Sequence, residues 1–493
     1  MLKTGEEYLE SLRDGRVIYI GSEKVTDVTT HPAFRNAARS FAAIYDMKSA
    51  PENREAMSFE EDGGRYSAYF LRARSRDDLV KRSGLHRAIA RLSHGLMGRS
   101  PDHVASFVTG MSTNAAVFGG YADNLLAYYE HLRKTDGYVA YAVVAPQAAR
   151  DPEFYVRQRI PAPSLRVVRE EVDGVVITGM KMLATGAVFA NEIWIGNLIP
   201  LAPSQLAESV TCAVPVNANG LSLWSRKPFE RGAPVEFDNP LAHRFDETDS
   251  MVMCDEVKVP WERVFVHNDA VLAREIYIRT PAHCYGNHQS NVRFHEKMRL
   301  LVGLASRITQ ASGADQVPAV RETLGRLSAL EATLGGMIAG QIQDAEDWPA
   351  GFKTFNRRYM YAALNWCTEG HSGIIDCIRE LCGGGVFQMP ADISVMQDPT
   401  LRGNFEAYWQ TPQMGAVARM KLFKLAWDLI GSEFAGRHTQ YEKFYAGASF
   451  IVRNHNFREA PWDDYHRAVD ELMASYGYPG ESRDHPDTAP AAA

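Results

Sequence analysis

Hydrophobic and polar positions divide the chain into three zones. Residues 1 to about 145 mostly repeat apolar positions at helical spacing, as in HPAFRNAARSFAAIYDM from residue 31. Between about 150 and 270 the apolar runs become short and β-rich. One of them, SLRVVREEVDGVVITGMKMLA, alternates apolar and polar residues around Asp173 and Gly174, which predicts a hairpin. From about 275 long helical patterns return, such as RRYMYAALNWCTEGHSGIIDCIREL.

These zones predict an α+β fold with three domains. We expect a helical domain over residues 1–147, a β domain over 148–275 and a helical bundle over 276–493, which ends in a frayed tail, SRDHPDTAPAAA. The sequence contains neither a glycine-rich dinucleotide fingerprint nor a Walker-type phosphate loop. The three glycines of LCGGGVFQMP follow a helical pattern, so they favour a helix stop over close approach of a planar cofactor.

Composition and charge narrow the class of protein. The chain has 493 residues, of which 45% are hydrophobic and 23% are charged, and its net charge of −7 gives no electrostatic footprint for nucleic acid. No apolar run reaches the roughly 18 residues that a bilayer requires, and the N-terminus lacks the apolar core of a signal peptide. Six scattered cysteines fit reduced thiols. We expect a cytoplasmic protein that binds no nucleic acid, no membrane and no metal.

The stretch MGRSPDHVAS combines a helix start with two groups that can bear positive charge. Ser100 is a typical N-cap, Pro101 a typical first helical residue and Asp102 a first-turn acid, so a helix should begin here. Arg99 would then precede the helix and His103 would lie in its first turn. The local sequence allows a charged helix cap on the surface or an anion-binding site, because free N–H groups and the helix dipole favour negative charge there.

Several stretches resemble a known family in order along nearly the whole chain. GRVIYIGSEKVTDVTTHPAFRNAARSFAAIYD, GRSPDHVASF, TGMKMLATGAVFANEIWIG, DEVKVPWERVFV and GSEFAGRHTQYEKFYAG resemble the oxygenase components of two-component 4-hydroxyphenylacetate 3-monooxygenases. The resemblance implies an acyl-CoA dehydrogenase-like fold, in which the middle domain is an antiparallel β-barrel. It also implies a homotetramer with flavin sites near subunit contacts.

The same resemblance implies a reaction. Such oxygenases take reduced FAD from a separate flavin reductase, add O2 to form a flavin hydroperoxide, and hydroxylate a phenol ortho to its OH. A fixed cation would favour the phenolate, so Arg99 and His103 are expected to bind and polarise the phenolic oxygen. Ile199 and Pro200 fall where relatives contact the substrate from a loop of the β domain.

The chain departs from the family pattern at the substrate oxygen. His103 stands where the family usually has tyrosine, and Tyr141 stands where the hydroxyphenylacetate enzymes have histidine. Both side chains can donate a hydrogen bond, so binding of the oxygen can survive the exchange. Without the resemblance, the sequence favours a core tyrosine with a satisfied OH at position 141. The exchange leaves resorcinols, nitro- or halophenols and hydroxylated heteroaromatics open as substrates.

A third candidate is His288, in YGNHQSNVRFHEK. Chlorophenol-hydroxylating relatives carry a base in a similar His-Gln context, and histidine has the near-neutral pKa that a base needs. His295 lies seven residues later, on the same face of a helix, so the pair could also be polar packing.

The resemblance also implies contacts to the flavin. A segment over residues 141–143 and 147–150 lines the flavin in the family, a hydroxyl after the hairpin faces its ring, and a C-terminal arginine and YAG stretch complete the site. The positions are Tyr141, Ala142, Val143, Gln147, Arg150, Thr185, Arg437, Tyr445, Ala446 and Gly447. For Arg437 the alternative is a charge on a surface helix.

Two other classes of protein remain to be compared. The 4-hydroxybutyryl-CoA dehydratases resemble this family but bind an iron–sulfur cluster through cysteines. This chain has no cysteine before Cys212, and His295 stands where their last cysteine would be, so that cluster cannot form. A non-catalytic flavin binder would keep the fold without product formation, since fold does not decide function.

We predict that the purified protein binds reduced FAD well and oxidised FAD poorly, because it would receive the flavin from a reductase. Anaerobic titration of the protein with each form of FAD measures the two affinities. Efficient oxidation of NADH by this chain alone would contradict the prediction.

Overall fold

The computed structural model describes residues 2–477 and has the predicted α+β class. The predicted frayed tail lies outside the described residues. Helices dominate the first and last parts of the chain, and most strands lie between them. Within the described part of the chain, no helix combines the length and apolar character needed to cross a membrane.

The first part of the described chain forms six α-helices, two of which begin with a capping box. Thr4 caps the first of them in a box with Glu7, and Ser75 caps the fourth in a box with Asp78. The helices are α1 (Gly5–Ser11), α2 (Arg35–Ser49), α3 (Arg54–Met57), α4 (Arg76–Leu92), α5 (Asp102–Ser112) and α6 (Ala122–Thr135).

Twelve strands precede the C-terminal bundle in the described residues. They are β1 (Ile18–Ile20), β2 (Glu23–Val25), β3 (Ser58–Glu61), β4 (Gly64–Ser67), β5 (Val139–Ala142), β6 (Arg166–Glu171), β7 (Gly174–Thr185), β8 (Glu192–Ile195), β9 (Thr211–Pro215), β10 (Leu221–Ser225), β11 (Asp249–Pro260) and β12 (Val264–Val266). Short helices α7 (Pro152–Gln158), α8 (Ala242–Phe245) and α9 (Leu272–Glu275) accompany them.

The strands of the middle region form two sheets. One has the order β2-β1-β10-β11-β7-β6 and the other β12-β9-β8-β5. The predicted hairpin is confirmed, because β6 and β7 pair up to Glu171 and Gly174 across a tight turn. Strands between residues 148 and 275 pair antiparallel with one another, as predicted. Closure of these sheets into a barrel stays a prediction.

Two parallel pairings come from strands that precede residue 148. β1 runs parallel to β10, and β5 runs parallel to β8. The polypeptide of the first zone therefore completes both sheets of the middle region, and β5 brings Tyr141 opposite Trp194. The sequence pattern missed this arrangement because pairing between strands so far apart leaves no local signal. The domain boundaries at 147 and 275 stay predictions.

Long helices form the C-terminal part. They are α10 (Ala282–Ser312), α11 (Pro318–Gln343), α12 (Arg357–Cys382), α13 (Pro399–Tyr408), α14 (Ala416–Ile430), α15 (Glu433–Lys443), α16 (Ser449–Arg458) and α17 (Trp462–Ala474), with the hairpin β13 (Glu346–Trp348) and β14 (Phe352–Thr354) between α11 and α12. Helix α12 ends at Cys382 and Gly383 follows with φ 49°, so the predicted helix stop is confirmed.

Helix α10 lies at the centre of the molecule. It packs against α4, α5, α11 and α12, and every residue from Cys284 to Met298 is buried. Many of these buried residues are polar, which a helix tolerates only when each polar group finds a partner. This polar stretch of α10 supplies much of the candidate site.

A buried ion pair joins the ends of two N-terminal helices. Lys48, in the last turn of α2, donates to both oxygens of Asp136, the residue that follows α6, at 2.8 and 3.0 Å. Tyr69 donates to the same carboxylate at 2.7 Å, and both charged side chains are almost fully buried. The pair therefore fixes how α2 and α6 pack.

We expect Lys48→Met to lower the free energy of unfolding by about 3–5 kcal/mol, because it leaves the Asp136 carboxylate buried without its cation. A urea titration followed by circular dichroism measures the loss. Lys24→Met, at an exposed position of β2, is the matched control and should change little. Equal stabilities of the two variants would contradict the assigned role of the pair.

Candidate active site

Helix α5 begins one residue later than the sequence predicts. Asp102 is its first residue, Pro101 holds the cap position, and the Ser100 hydroxyl donates to the Asp102 carboxylate instead of accepting from the backbone. The prediction of a Ser100 cap is therefore wrong, because the nearby Asp102 oxygen is a stronger acceptor for its hydroxyl. All eleven residues of α5 are buried, so the alternative of a charged cap on the surface is also wrong.

Arg99 is fixed at the entrance to α5 by contacts to three parts of the chain. Its backbone N–H donates to Glu247 Oε2 at 2.9 Å, and its Nη2 donates to the backbone oxygen of Tyr445 at 3.0 Å. Its guanidinium carbon lies 4.1 Å from the centre of the Tyr445 ring, and its Nη1 donates to His103 Nε2. The structure therefore provides a positioned, permanently charged group.

His103 lies beside Arg99, as predicted. It is fully buried, and its Nδ1 lies 3.2 Å from Gln289 Oε1 on α10. Burial, with the nearby positive charge of Arg99, holds the pKa of His103 well below its usual value. His103 is thus neutral at physiological pH and can accept a proton or a hydrogen bond.

Aromatic side chains surround His103. Its ring centre lies 5.1 Å from Phe107, 6.4 Å from Tyr141 and 6.2 Å from Tyr445, each at a steep angle. The structure thus brings Arg99, His103 and Tyr141 together, as predicted. These walls are apolar enough to exclude water from the polar groups between them.

Three tyrosine hydroxyls near Arg99 have no hydrogen-bond partner among residues 2–477. They belong to Tyr141, Tyr441 and Tyr445, and each is buried. A buried hydroxyl without a partner costs about 1–3 kcal/mol. Polar atoms of a bound aromatic compound or flavin could satisfy them, so these residues fit such ligands.

Close packing at a glycine sets one wall of this space. A Cβ added to Gly286 on α10 would lie 1.9 Å from a ring carbon of Phe107. Only the missing side chain lets α10 approach α5 so closely. The position of the Phe107 ring, 5.3 Å from that of Tyr141, depends on this glycine.

His283, which the sequence analysis did not single out, also borders the aromatic space. Its ring lies 6.0 Å from that of Phe107 and stacks 5.9 Å from that of Tyr277. Nδ1 is 3.0 Å from the Tyr361 hydroxyl, and burial lowers the pKa of His283 to about 3. The one available signal was a second histidine, five residues before His288.

The structure does not bring His288 into this cluster. Its Nδ1 lies 2.7 Å from Gln341 Oε1, its Nε2 lies 3.0 Å from Ser83 Oγ, and its ring stacks 3.6 Å from Phe355. Adjacent residues of a helix point about 100° apart, so His288 faces α4 and α11 while Gln289 faces α5. The role of His288 as a base stays a prediction, and the geometry favours His103.

Thr185 and Arg437, both predicted to contact flavin, meet at one carboxylate. Thr185 donates to Asp249 Oδ1 at 2.6 Å, and Arg437 donates to both oxygens of Asp249 at 2.7 and 2.9 Å and to Glu247 at 2.9 Å. Although burial opposes it, the guanidinium groups of Arg437 and Arg226 hold the pKa of Asp249 well below its usual range. Arg437 is therefore no isolated surface charge.

The other predicted contacts differ in exposure. Ala142 and Val143 are buried, whereas Gln147 and Arg150 border an exposed turn. Tyr445 is buried and pairs through its backbone with Gly447, whose φ is 89°, across Ala446. The predicted substrate contacts Ile199 and Pro200 lie exposed in the loop after β8, and their role towards the substrate stays a prediction.

A second buried ion cluster lies behind Tyr445. Arg293 and Lys297 of α10 both donate to Glu442 of α15, the latter at 2.8 Å. The Arg293 guanidinium lies 5.0 Å from the Tyr445 ring. Burial lowers the pKa of Lys297 to about 8. Sequence reasoning missed this cluster, because its partners are about 145 residues apart.

Comparisons with known proteins place this chain in a family. Models described as the N-terminal and C-terminal parts of 4-hydroxyphenylacetate 3-hydroxylase match residues 4–266 and 273–474. The chain is 33% identical to the oxygenase component of 4-nitrophenol 2-monooxygenase from a Rhodococcus species, over 91% of this chain and 87% of that protein. It is 32% identical to the pyoverdin chromophore biosynthetic protein PvcC of Pseudomonas aeruginosa, over 92% and 90%.

A solved structure agrees with the fold. The crystal structure of the oxygenase component of 4-hydroxyphenylacetate 3-monooxygenase, complexed with FAD and 4-hydroxyphenylacetate, superposes with a TM-score of 0.90 at 29% identity, covering 96% of this chain and 98% of that one. The chain is the oxygenase component of a two-component flavin-dependent aromatic monooxygenase. It belongs to the 4-hydroxyphenylacetate 3-hydroxylase family.

We expect different effects from replacing His103 and from replacing His288. His103→Asn should reduce the product formed per FAD oxidised, because an amide beside Arg99 cannot take up a proton as an imidazole nitrogen can. His288→Asn should mainly lower the thermal midpoint, because the ring of His288 packs on Phe355 and bonds to Ser83 and Gln341. Product and peroxide yields with chemically reduced FAD check the first expectation, and thermal unfolding followed by circular dichroism checks the second. Loss of product only in His288→Asn, with recovery for more acidic phenols, would instead support His288 as the base.

Proposed function

We propose that this oxygenase hydroxylates a small phenol at the carbon ortho to its OH, with reduced FAD delivered by a separate reductase and with O2. The observation that carries the proposal is the meeting of Arg99, neutral His103 and the unpartnered Tyr141 hydroxyl within one aromatic space. Membership of the family supports the reaction class.

Arg99 would stabilise the phenolate oxygen. A charge interaction at about 4 Å is worth roughly 4 kcal/mol near a protein surface, which is enough to lower the pKa of a bound phenol by more than one unit. The contacts of Arg99 to Tyr445 and Glu247 hold its position before substrate binds. That arrangement favours the ionised ring, which is the better nucleophile.

His103 would accept the phenolic proton at Nε2, once the Arg99 Nη1–H that bonds to Nε2 in this structure has turned to the phenolic oxygen. A neutral imidazole can take this proton, whereas an imidazolium could not. Tyr141 would donate its free hydroxyl to the same oxygen. The aromatic walls of Phe107, Tyr445 and Tyr277 would hold the ring and exclude water.

Reduced FAD, together with O2, would supply the oxygen atom that is added to the ring. The residues that would hold this cofactor are Tyr445 to Gly447 and the segment from Ala142 to Arg150, with Thr185 and Arg437 at its edge. The free hydroxyl groups of Tyr441 and Tyr445 support this placement. Because Thr185 and Arg437 already bind Asp249, they would act on the flavin together with that carboxylate.

The substrate is proposed only as a class. The relative from Rhodococcus is a 4-nitrophenol 2-monooxygenase, and the solved relative binds 4-hydroxyphenylacetate. The exchange of histidine and tyrosine at positions 103 and 141 keeps nitro- and halophenols, resorcinols and hydroxylated heteroaromatics as candidates. A screen of these compounds with chemically reduced FAD, scoring product against peroxide, identifies the substrate.

The proposal includes a homotetramer in the cytoplasm. Apolar side chains on the last two helices support assembly, because such a surface is usually covered. The exposed ones include Phe450, Phe457, Val469, Leu472 and Met473.

Replacing Arg99 with methionine tests the proposed function. Arg99→Met keeps the length of the side chain but removes its charge, so product formation should fall at least ten-fold, about 1.4 kcal/mol. Oxidation of reduced FAD should continue and release peroxide. Arg402→Met is the control, because Arg402 lies exposed on α13 and contacts Glu406. An unchanged ratio of product to peroxide would refute the role of Arg99.

A further inference from the structure

A chain of hydrogen bonds runs from Arg99 through His103 into the interior. Gln289 Oε1 lies 3.2 Å from His103 Nδ1, and Gln289 Nε2 lies 3.3 Å from Ser100 Oγ and 3.4 Å from Asp102 Oδ1. The Ser100 hydroxyl donates to the same Asp102 oxygen. Apart from Arg99, which is part-buried, every member is buried.

The groups at the two ends of this chain of hydrogen bonds determine which atoms donate and which accept along it. A guanidinium can only donate, so His103 Nε2 must be an acceptor towards Arg99. A carboxylate can only accept, so Ser100 and the Gln289 amide must donate to Asp102. The Gln289 carbonyl then faces His103, which must carry its proton on Nδ1. Both ends give the same tautomer.

A second histidine holds the inner end. His86 Nδ1 lies 2.7 Å from Asp102 Oδ2, and both side chains are fully buried. This contact occupies the other carboxylate oxygen, so Oδ1 remains for Ser100 and Gln289. Asp102 is thus held in one orientation from the side of α4.

We infer that Gln289 is a positioning residue, which keeps the proton of His103 on Nδ1 and so presents Nε2 to the phenolic O–H beside Arg99. The inference rests on the proposed function. When the substrate ionises, its O–H bond breaks, a Nε2–H bond forms, and the electron pair stays on the phenolate oxygen next to Arg99. The Gln289 carbonyl then accepts from the resulting imidazolium.

Other groups also act on the protonation of His103. Arg99 precedes α5, Tyr141 lies on β5, Tyr445 follows α15, Arg293 lies on α10 and His86 lies on α4. All of them are unchanged in a Gln289 variant. A difference between variants therefore reports the contact between Gln289 and His103.

The test uses 4-nitrophenol as a probe in flavin-free protein, where the phenolate colour reports ionisation of the bound compound directly. In wild type the midpoint of ionisation should lie below that of free 4-nitrophenol. Gln289→Met keeps the size of the side chain but removes the acceptor, so the midpoint should rise by about one unit, a ten-fold change in the equilibrium. Gln289→Glu keeps an acceptor oxygen and adds a negative charge beside the imidazolium, so the midpoint should fall below the wild-type value.

Gln341→Met is the matched control. Gln341 is a buried glutamine that binds His288 in the same way, away from the cluster. Its variant should leave the midpoint unchanged. A loss of packing alone would change the ionisation midpoint in the same way in Gln289→Met and Gln341→Met. Only at position 289 should glutamate in place of methionine restore ionisation of the bound probe.

The outcomes separate the two proposals. The positioning role is wrong if Gln289→Met ionises bound 4-nitrophenol as well as wild type does. It is also wrong if wild type binds the probe without ionising it. In both cases the proposed function is judged separately, by product formation. If wild type hydroxylates no phenol, the proposed function fails. Should Gln289→Met not fold, an unchanged midpoint and unchanged kcat/KM in Gln289→Glu would overturn the inference.

Discussion

One buried carboxylate, Glu247, joins all three zones of the chain. It accepts from the backbone of Arg99 in the first zone and from the side chain of Arg437 in the last, while belonging itself to the middle zone. A buried charge is tolerated only when its partners are in place, and removing one typically costs several kcal/mol. The cation beside His103 can therefore be positioned only when the three zones have packed together.

Helix α10 places further buried polar side chains in the core, and they too need partners. Its buried stretch has partners on every side, so Gln289 bonds towards α5 while His288 bonds towards α4 and α11. The two residues are neighbours in sequence but serve separate clusters. Their polar groups make the packing of α10 specific, because each has a partner in only one arrangement.

Local pattern and family resemblance predicted much of this architecture. Periodicity predicted the helical and β zones, the hairpin at Asp173 and the stop after α12, because these depend on neighbouring residues. Resemblance predicted that Arg99, His103 and Tyr141 lie together. The parallel pairings of β1 and β5 and the link from Glu247 to Arg437 escaped prediction, since partners separated by up to about 200 residues leave no periodic signal.

The absence of a side chain at Gly286 has a consequence for how the enzyme could diversify. Phe107 stands against bare backbone there, so any added methyl group would displace its ring, which lies 5.3 Å from that of Tyr141. Such a change would reshape the aromatic space while keeping the side chains of Arg99, His103 and Gln289. Selection for bulkier or slimmer substrates can thus act through the residue packed behind Phe107, while the residues proposed to ionise the substrate are inherited unchanged.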